Sequence, residues 1–199
     1  MKRLLLLGIF GTCSGLTSFK AFADPFVVDQ AKPFNNCAGG CTGLNIQVFS
    51  QIGQSFTPTL GSLNDVELVV SPGGLVLPSD LKIEIRAGTI TGAILGTASS
   101  PSYSSTGFLN FDLAHFDFGS TISLVPGGTY VITVIAPTTT AFLEGQFDGY
   151  AGGTGFEFGA PVADLDFYFR EGPSVPEPSS VLLLASIVGA AIWIRRQNR

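Results

Sequence analysis

Histidine, tryptophan and basic charge are nearly absent from this chain. Its 199 residues hold one histidine, His115, one tryptophan, Trp193, and ten lysines and arginines against fifteen acids. Six of the ten basic residues, Lys2, Arg3, Lys20, Arg195, Arg196 and Arg199, crowd into the two ends. Between Asp24 and Val175 there are four basic and fourteen acidic residues, a formal net charge of −10. A surface so poor in cations excludes nucleic acid as a partner, because phosphate binding needs clustered lysine and arginine. One imidazole leaves no zinc site of the usual His/Cys type. Long amphipathic periodicity is also missing, which excludes a helical bundle.

What is present falls into three parts. Residues 1–23 open with Lys2-Arg3, continue through Leu4-Leu5-Leu6-Leu7, and close on Ala21-Phe22-Ala23, a small-x-small cleavage site at Ala21 and Ala23. That is the layout of a secretory signal peptide, and it implies signal peptidase and the general secretion machinery as partners. The mature chain is expected to begin at Asp24. Cys13 follows Phe10-Gly11-Thr12, a poor lipobox, so cleavage after Ala23 is favoured over lipidation.

Residues 24–172 are read as one domain, large enough for a hydrophobic core. Short runs of period two recur, each closed by Gly, Pro, Asn or Ser. In Leu81-Lys82-Ile83-Glu84-Ile85-Arg86 the apolar residues are expected to face inward and Lys82, Glu84 and Arg86 to face water. Asp65-Val66-Glu67-Leu68-Val69-Val70 alternates in the same sense, and Leu165, Phe167 and Phe169 share one face of a run beginning at Asp164. Further runs span 46–56, 93–98, 108–113, 121–125, 129–136 and 142–147. The expectation is about nine or ten strands in an all-β fold, an antiparallel jelly-roll-like β-sandwich, flanked by an N-terminal signal-peptide helix and a C-terminal transmembrane helix. The inward positions Val66, Leu68, Leu81, Ile83, Ile85, Tyr130, Ile132, Val134, Leu165, Phe167 and Phe169 form the expected core.

Two cysteines, Cys37 and Cys41, remain in the domain, spaced by Ala-Gly-Gly. In an exported protein they are expected to pair as a disulfide, with free thiols or redox activity as the alternatives. His115 would need Asp112 or Asp117 and a serine to do nucleophilic chemistry; no Gly-x-Ser-x-Gly elbow is present, and a strand histidine without special role is favoured. Asp164 and Asp166, spaced by two, are read as a solvated face, with Ca2+ or paired catalytic carboxylates as alternatives. The glycine-rich stretch 148–157 lacks the lysine of a phosphate loop. It is read as a long loop or as a ligand rim, with Tyr150 and Phe156 stacking on sugars and Asp148 and Glu157 bonding hydroxyls or Ca2+. Trp193, the large aromatic a sugar site would use, lies in the tail.

Residues 173–178 form a linker carrying Val175-Pro176-Glu177-Pro178, in which the prolines hold the backbone extended. Residues 179–199 hold an uncharged run, Val181 to Ile194, then the basic cluster Arg195, Arg196 and Arg199. As a helix this run is roughly 21 Å long, short for a hydrocarbon core of ~30 Å. The arginines would stay cytoplasmic. The tail resembles the PEP-CTERM sorting signal of bacterial exported proteins. The resemblance implies cutting near Pro-Glu-Pro by an exosortase, a membrane-embedded cysteine transpeptidase-like enzyme, after a transient stay in the inner membrane. It further implies a place at the cell surface or in the extracellular matrix, with exopolysaccharide and biofilm. A plain membrane anchor is the alternative.

The domain is similar to the β-sandwich domains attached to this signal. The stretches that carry this are 53–58 (Gly-Gln-Ser-Phe-Thr-Pro), 125–130 (Val-Pro-Gly-Gly-Thr-Tyr) and 164–169 (Asp-Leu-Asp-Phe-Tyr-Phe). A structural or adhesive matrix role, without enzymatic activity or an obligatory cofactor, is the favoured expectation. A carbohydrate- or calcium-binding module comes next and a hydrolase last.

Overall fold

The computed structural model describes residues 26–135, 138, 140–147 and 149–175. The expected signal-peptide residues Ala21 and Ala23, the motif residues Pro176, Glu177 and Pro178, the arginines Arg195, Arg196 and Arg199, and Asp148 lie outside the described residues. Among the described residues there is no helix; every element is a β-strand and every strand pair is antiparallel.

The described residues form fourteen strands: β1 (Gln30–Lys32), β2 (Thr42–Asn45), β3 (Ile52–Phe56), β4 (Ser62–Pro72), β5 (Lys82–Ala87), β6 (Ile94–Ser99), β7 (Ser102–Ser105), β8 (Asp112–Ser123), β9 (Tyr130–Ile135), β10 (Ala141–Phe147), β11 (Gly155–Glu157), β12 (Ala160–Pro161), β13 (Leu165–Phe167) and β14 (Phe169–Gly172). The smaller sheet runs β12-β11-β3-β9-β5-β6. The larger one is built on β4, which pairs with β8 along one edge and with β14 and β10 along the other. The two sheets share one core, because side chains of both, including Ile52, Phe56, Ile83, Ile85 and Ile132 with Val66, Leu68, Phe116, Leu143 and Phe167, join a single buried cluster. All eleven expected core residues belong to it.

The larger sheet forks. Val69 N–H donates to Tyr168 O at 3.2 Å and Tyr168 N–H to Glu144 O at 3.0 Å. Below this point β13 stays with β10 while β14 crosses to β4. Tyr168 is the residue at which one run becomes two strands. Its neighbours Phe167 and Phe169 nevertheless both stay in the core, because the alternation of faces survives the break.

Several expected boundaries move. The run 46–56 is a strand only from Ile52, because Asn45 turns the chain first: its Oδ1 accepts Gln47 N–H and Val48 N–H at 3.0 and 3.2 Å. The runs near 113 and 121 are one long strand, β8, starting at Asp112.

Three outward positions also differ from expectation. Glu84 does not face open water; it is buried between Lys82 Nζ at 2.7 Å and Arg86 at 2.5 Å. Asp65 and Glu67 are buried because the chain around β1 folds back over the outer face of the larger sheet. Phe26, before β1, lies against His115 and Arg170. Phe34, after β1, stacks edge-on against Tyr168, Phe108 and Phe111.

Candidate functional site

His115 belongs to a charged row that the sheet register creates. Across β8, β4 and β14 the residues opposite one another are His115, Glu67 and Arg170. His115 Nε2 lies 3.2 Å from Asp65 Oδ1 and Nδ1 lies 3.4 Å from Glu67 Oε1. The second distance is long for a hydrogen bond, so that contact is mainly electrostatic. Arg170 Nε donates to the other oxygen of Glu67. Ser174 Oγ donates to Asp65 Oδ2 at 2.7 Å.

Phe26 closes the row, 1% exposed, with the Arg170 guanidinium 5.4 Å from its ring centre. Contact with Glu67 holds the His115 pKa above its ordinary value, against the opposing effect of burial. For Glu67, burial pushes upward but its contacts with His115 and Arg170 win, and its pKa lies low. Burial raises Asp65, in spite of Ser174 and His115. Both imidazole nitrogens face carboxylates, so His115 has none left for a nucleophile. The row ties strands and chain ends together.

The stretches 53–58, 125–130 and 164–169 form the framework of the fold. Gln54, in the smaller sheet, reaches the larger one: its Nε2 donates to Asp166 Oδ1 at 2.8 Å and its Oε1 accepts Phe167 N–H at 2.8 Å. Ser55 Oγ holds Thr154 at its N–H, 2.8 Å, and its carbonyl, 3.1 Å. Gly127 N–H donates to Pro58 O at 2.8 Å, and Tyr130 Oη accepts Val125 N–H at 2.8 Å. Asp164 and Asp166 do not share a solvated face: Asp164 is exposed in a turn at φ 61°, whereas Asp166 is 1% exposed and bound by Gln54 and by Tyr150 N–H.

Of the expected ligand rim, Tyr150 does not stand free. Its ring meets Phe169 edge-on at 5.3 Å and its hydroxyl donates to Gln30 Oε1 at 2.8 Å. Burial, with Glu171, Asp29 and Asp166 nearby, pushes its pKa up to about 12. Phe156 and Glu157 are half-buried on β11, paired with Pro161 and Ala160. Among the described residues no group of three or more His, Cys, Asp or Glu is arranged to hold a metal ion.

Cys37 and Cys41 are joined in a disulfide with Cα atoms 4.9 Å apart. The loop they close sits on a polar network: Gln146 Nε2 donates to Ala38 O at 2.7 Å, Asn35 Nδ2 to Gln146 Oε1 at 2.8 Å, and the Tyr168 hydroxyl lies 2.9 Å from the same Gln146 oxygen.

Two features have no counterpart in the sequence reading. Glu171 lies on the core-facing side of β14 with no exposed surface, and neither carboxylate oxygen has a well-formed hydrogen bond. Burial, then Asp29, raises its pKa to about 8, and the Gln30 backbone gives only a weak offset. The other feature is the β11–β12 hairpin, whose two-residue tip is Phe158-Gly159 with φ of 50° and 78°. Positive φ at both central positions is the signature of a type I′ turn, which favours Asn-Gly. A phenylalanine there carries the left-handed penalty of ~1–2 kcal/mol, yet the residue is 62% exposed.

A comparison with protein-family models finds none that matches the chain, and a comparison with curated proteins finds no match either.

Proposed function

We propose that the chain is an exported, exosortase-processed protein that ends at the cell surface or in the extracellular matrix, with a structural or adhesive, non-catalytic role in exopolysaccharide or biofilm. The observation that carries this reading is the order of the tail: Val175-Pro176-Glu177-Pro178, an uncharged run, then Arg195, Arg196 and Arg199. In this reading residues 1–23 form the signal-peptide helix, residues 179–199 the transmembrane helix and basic end, and the two sheets between them a jelly-roll-type sandwich. Signal peptidase acts after Ala23, the inner membrane holds the chain transiently, and the exosortase cuts near Glu177.

The terminal geometry supports the reading. Phe26 and Ser174 form a β-bridge, and Val27 N–H donates to Pro173 O at 2.9 Å. The first and last described stretches of the domain therefore lie side by side. Ser174 is still tied to Asp65, whereas Val175, the residue before the Pro-Glu-Pro motif in the sequence, is 39% exposed.

Replacing Pro176 and Pro178 together by alanine tests this. The doubly substituted chain is expected to accumulate uncut in the membrane fraction, because the extended backbone that the protease reads is lost. Normal maturation of that variant contradicts the reading and leaves the tail as a plain anchor.

A further inference from the structure

We propose that the exposed ring of Phe158, seated on Phe49, is a contact site for an uncharged carbohydrate. The site deepens the matrix-protein reading by naming the ligand class, but it does not depend on processing of the tail.

Three observations converge on the β11–β12 tip. First, Phe158 occupies a left-handed position that a β-turn normally gives to asparagine or glycine, and it is exposed there. A bulky ring held in a disfavoured conformation with its face in water contributes little to folding; such outliers cluster at binding sites. Second, the ring does not stand alone. Its centroid lies 5.1 Å from that of Phe49, which packs against the core and fixes the platform beneath it.

Third, the surroundings are polar and carry no cation. Gly159 N–H donates to Gln51 O at 3.1 Å, and Gln51, itself at φ 61°, lays its side-chain oxygen against Gly159, in a space that a Cβ would fill. Gln47 is exposed on the turn that carries Phe49. An apolar ring with the Gln51 amide beside its hairpin tip matches a pyranose, which presents C–H groups on its face and hydroxyls at its rim. The four cations of the domain are placed elsewhere. Lys82 and Arg86 hold Glu84, Arg170 holds Glu67, and Lys32 lies on β1. With a formal charge of −10 between Asp24 and Val175, an acidic polymer is repelled and a neutral glycan is not.

The test uses the protein purified from exporting cells, titrated calorimetrically with cellohexaose and maltohexaose, and with alginate as an acidic control. Saturable binding to a neutral hexasaccharide is expected, with at least tenfold loss in Phe158→Asn and Phe158→Ala. Phe158→Asn restores the preferred turn residue, so its melting temperature should equal or exceed that of the parent. Loss of binding with retained or raised stability is the signature of a ligand-contact residue. Three results overturn the proposal: no binding to either neutral sugar, equal binding by Phe158→Asn, or preference for alginate. A fall in the stability of Phe158→Asn overturns it too, by making the ring a structural element.

Discussion

Phe26 and Ser174, 148 positions apart in the chain, face each other in a β-bridge over the Asp65–His115 contact. Phe26 seals the charged row and Ser174 bonds one member of it, so the two ends of the domain hold each other. Phe26→Ala is expected to cost about 3–5 kcal/mol, the usual range for a buried phenylalanine. It should also open the Ser174–Val175 bond to limited proteolysis before the rest of the domain unfolds. Denaturant titration and mass mapping of the first cleavage check both effects.

Gln54 is a second such tie. Gln54→Ala removes one hydrogen bond from the buried Asp166 carboxylate and leaves the Phe167 N–H without its side-chain acceptor, and should cost about 2–4 kcal/mol in denaturant unfolding. Thr133 gives the opposite case. Its hydroxyl is buried without a partner, so Thr133→Val should be neutral or stabilising by about 1 kcal/mol.

Glu171 sets a pH dependence whose sign is fixed by burial. Its pKa is about 8 in the folded chain against 4.5 as the reference for the unfolded one. The folded state holds a proton that the unfolded state releases, so stability is full below about pH 4.5 and falls as pH rises through about 8, by at most ~1.4 kcal/mol per pH unit. Glu171→Gln should flatten this fall and be more stable than the parent at pH 8. Melting curves from pH 5 to 9 read the difference directly.

His115 acts in the same direction for another reason. Its folded pKa lies above the reference value of 6.5 because the carboxylates favour the charged ring. The stabilisation it supplies is present below pH 6.5 and is lost as pH rises through the folded pKa. His115→Gln should therefore destabilise the protein at pH 6 and lose that effect toward pH 9. Chemical-shift titration of the single imidazole gives the folded pKa.

The core was legible because period two is a local property. Leu81, Ile83 and Ile85 announce an inward face without reference to any other strand. The burial of Asp65 and Glu67 was not legible, since it depends on Phe26, Phe34 and Arg170, which arrive from both ends of the domain. Tyr168 gives no sign in sequence that the strand forks there; the fork comes from β4 and β10 competing for one partner. Glu84 looked like a water-facing residue because its neighbours Lys82 and Arg86 are charged, and those same neighbours enclose it. For the candidate site, Tyr150 looked exposed because glycines surround it. Phe158 needed the backbone angle to stand out.

The disulfide should matter little to stability. It closes a loop of four-residue separation, for which chain entropy gives at most about 2 kcal/mol. Reduction is expected to loosen the loop over Tyr168 and to lower the melting temperature by no more than about 8 °C. Thiol titration alongside a melting curve checks this.

Processing of the tail is tested most directly by the intact mass of the surface-exposed protein from cells with and without the exosortase. Processing gives a chain that begins at Asp24 and lacks Ile194 to Arg199 when the enzyme is present, and a membrane-held chain that keeps them when it is absent. An extracellular form that still carries Ile194 to Arg199, or the same mass in both strains, contradicts it.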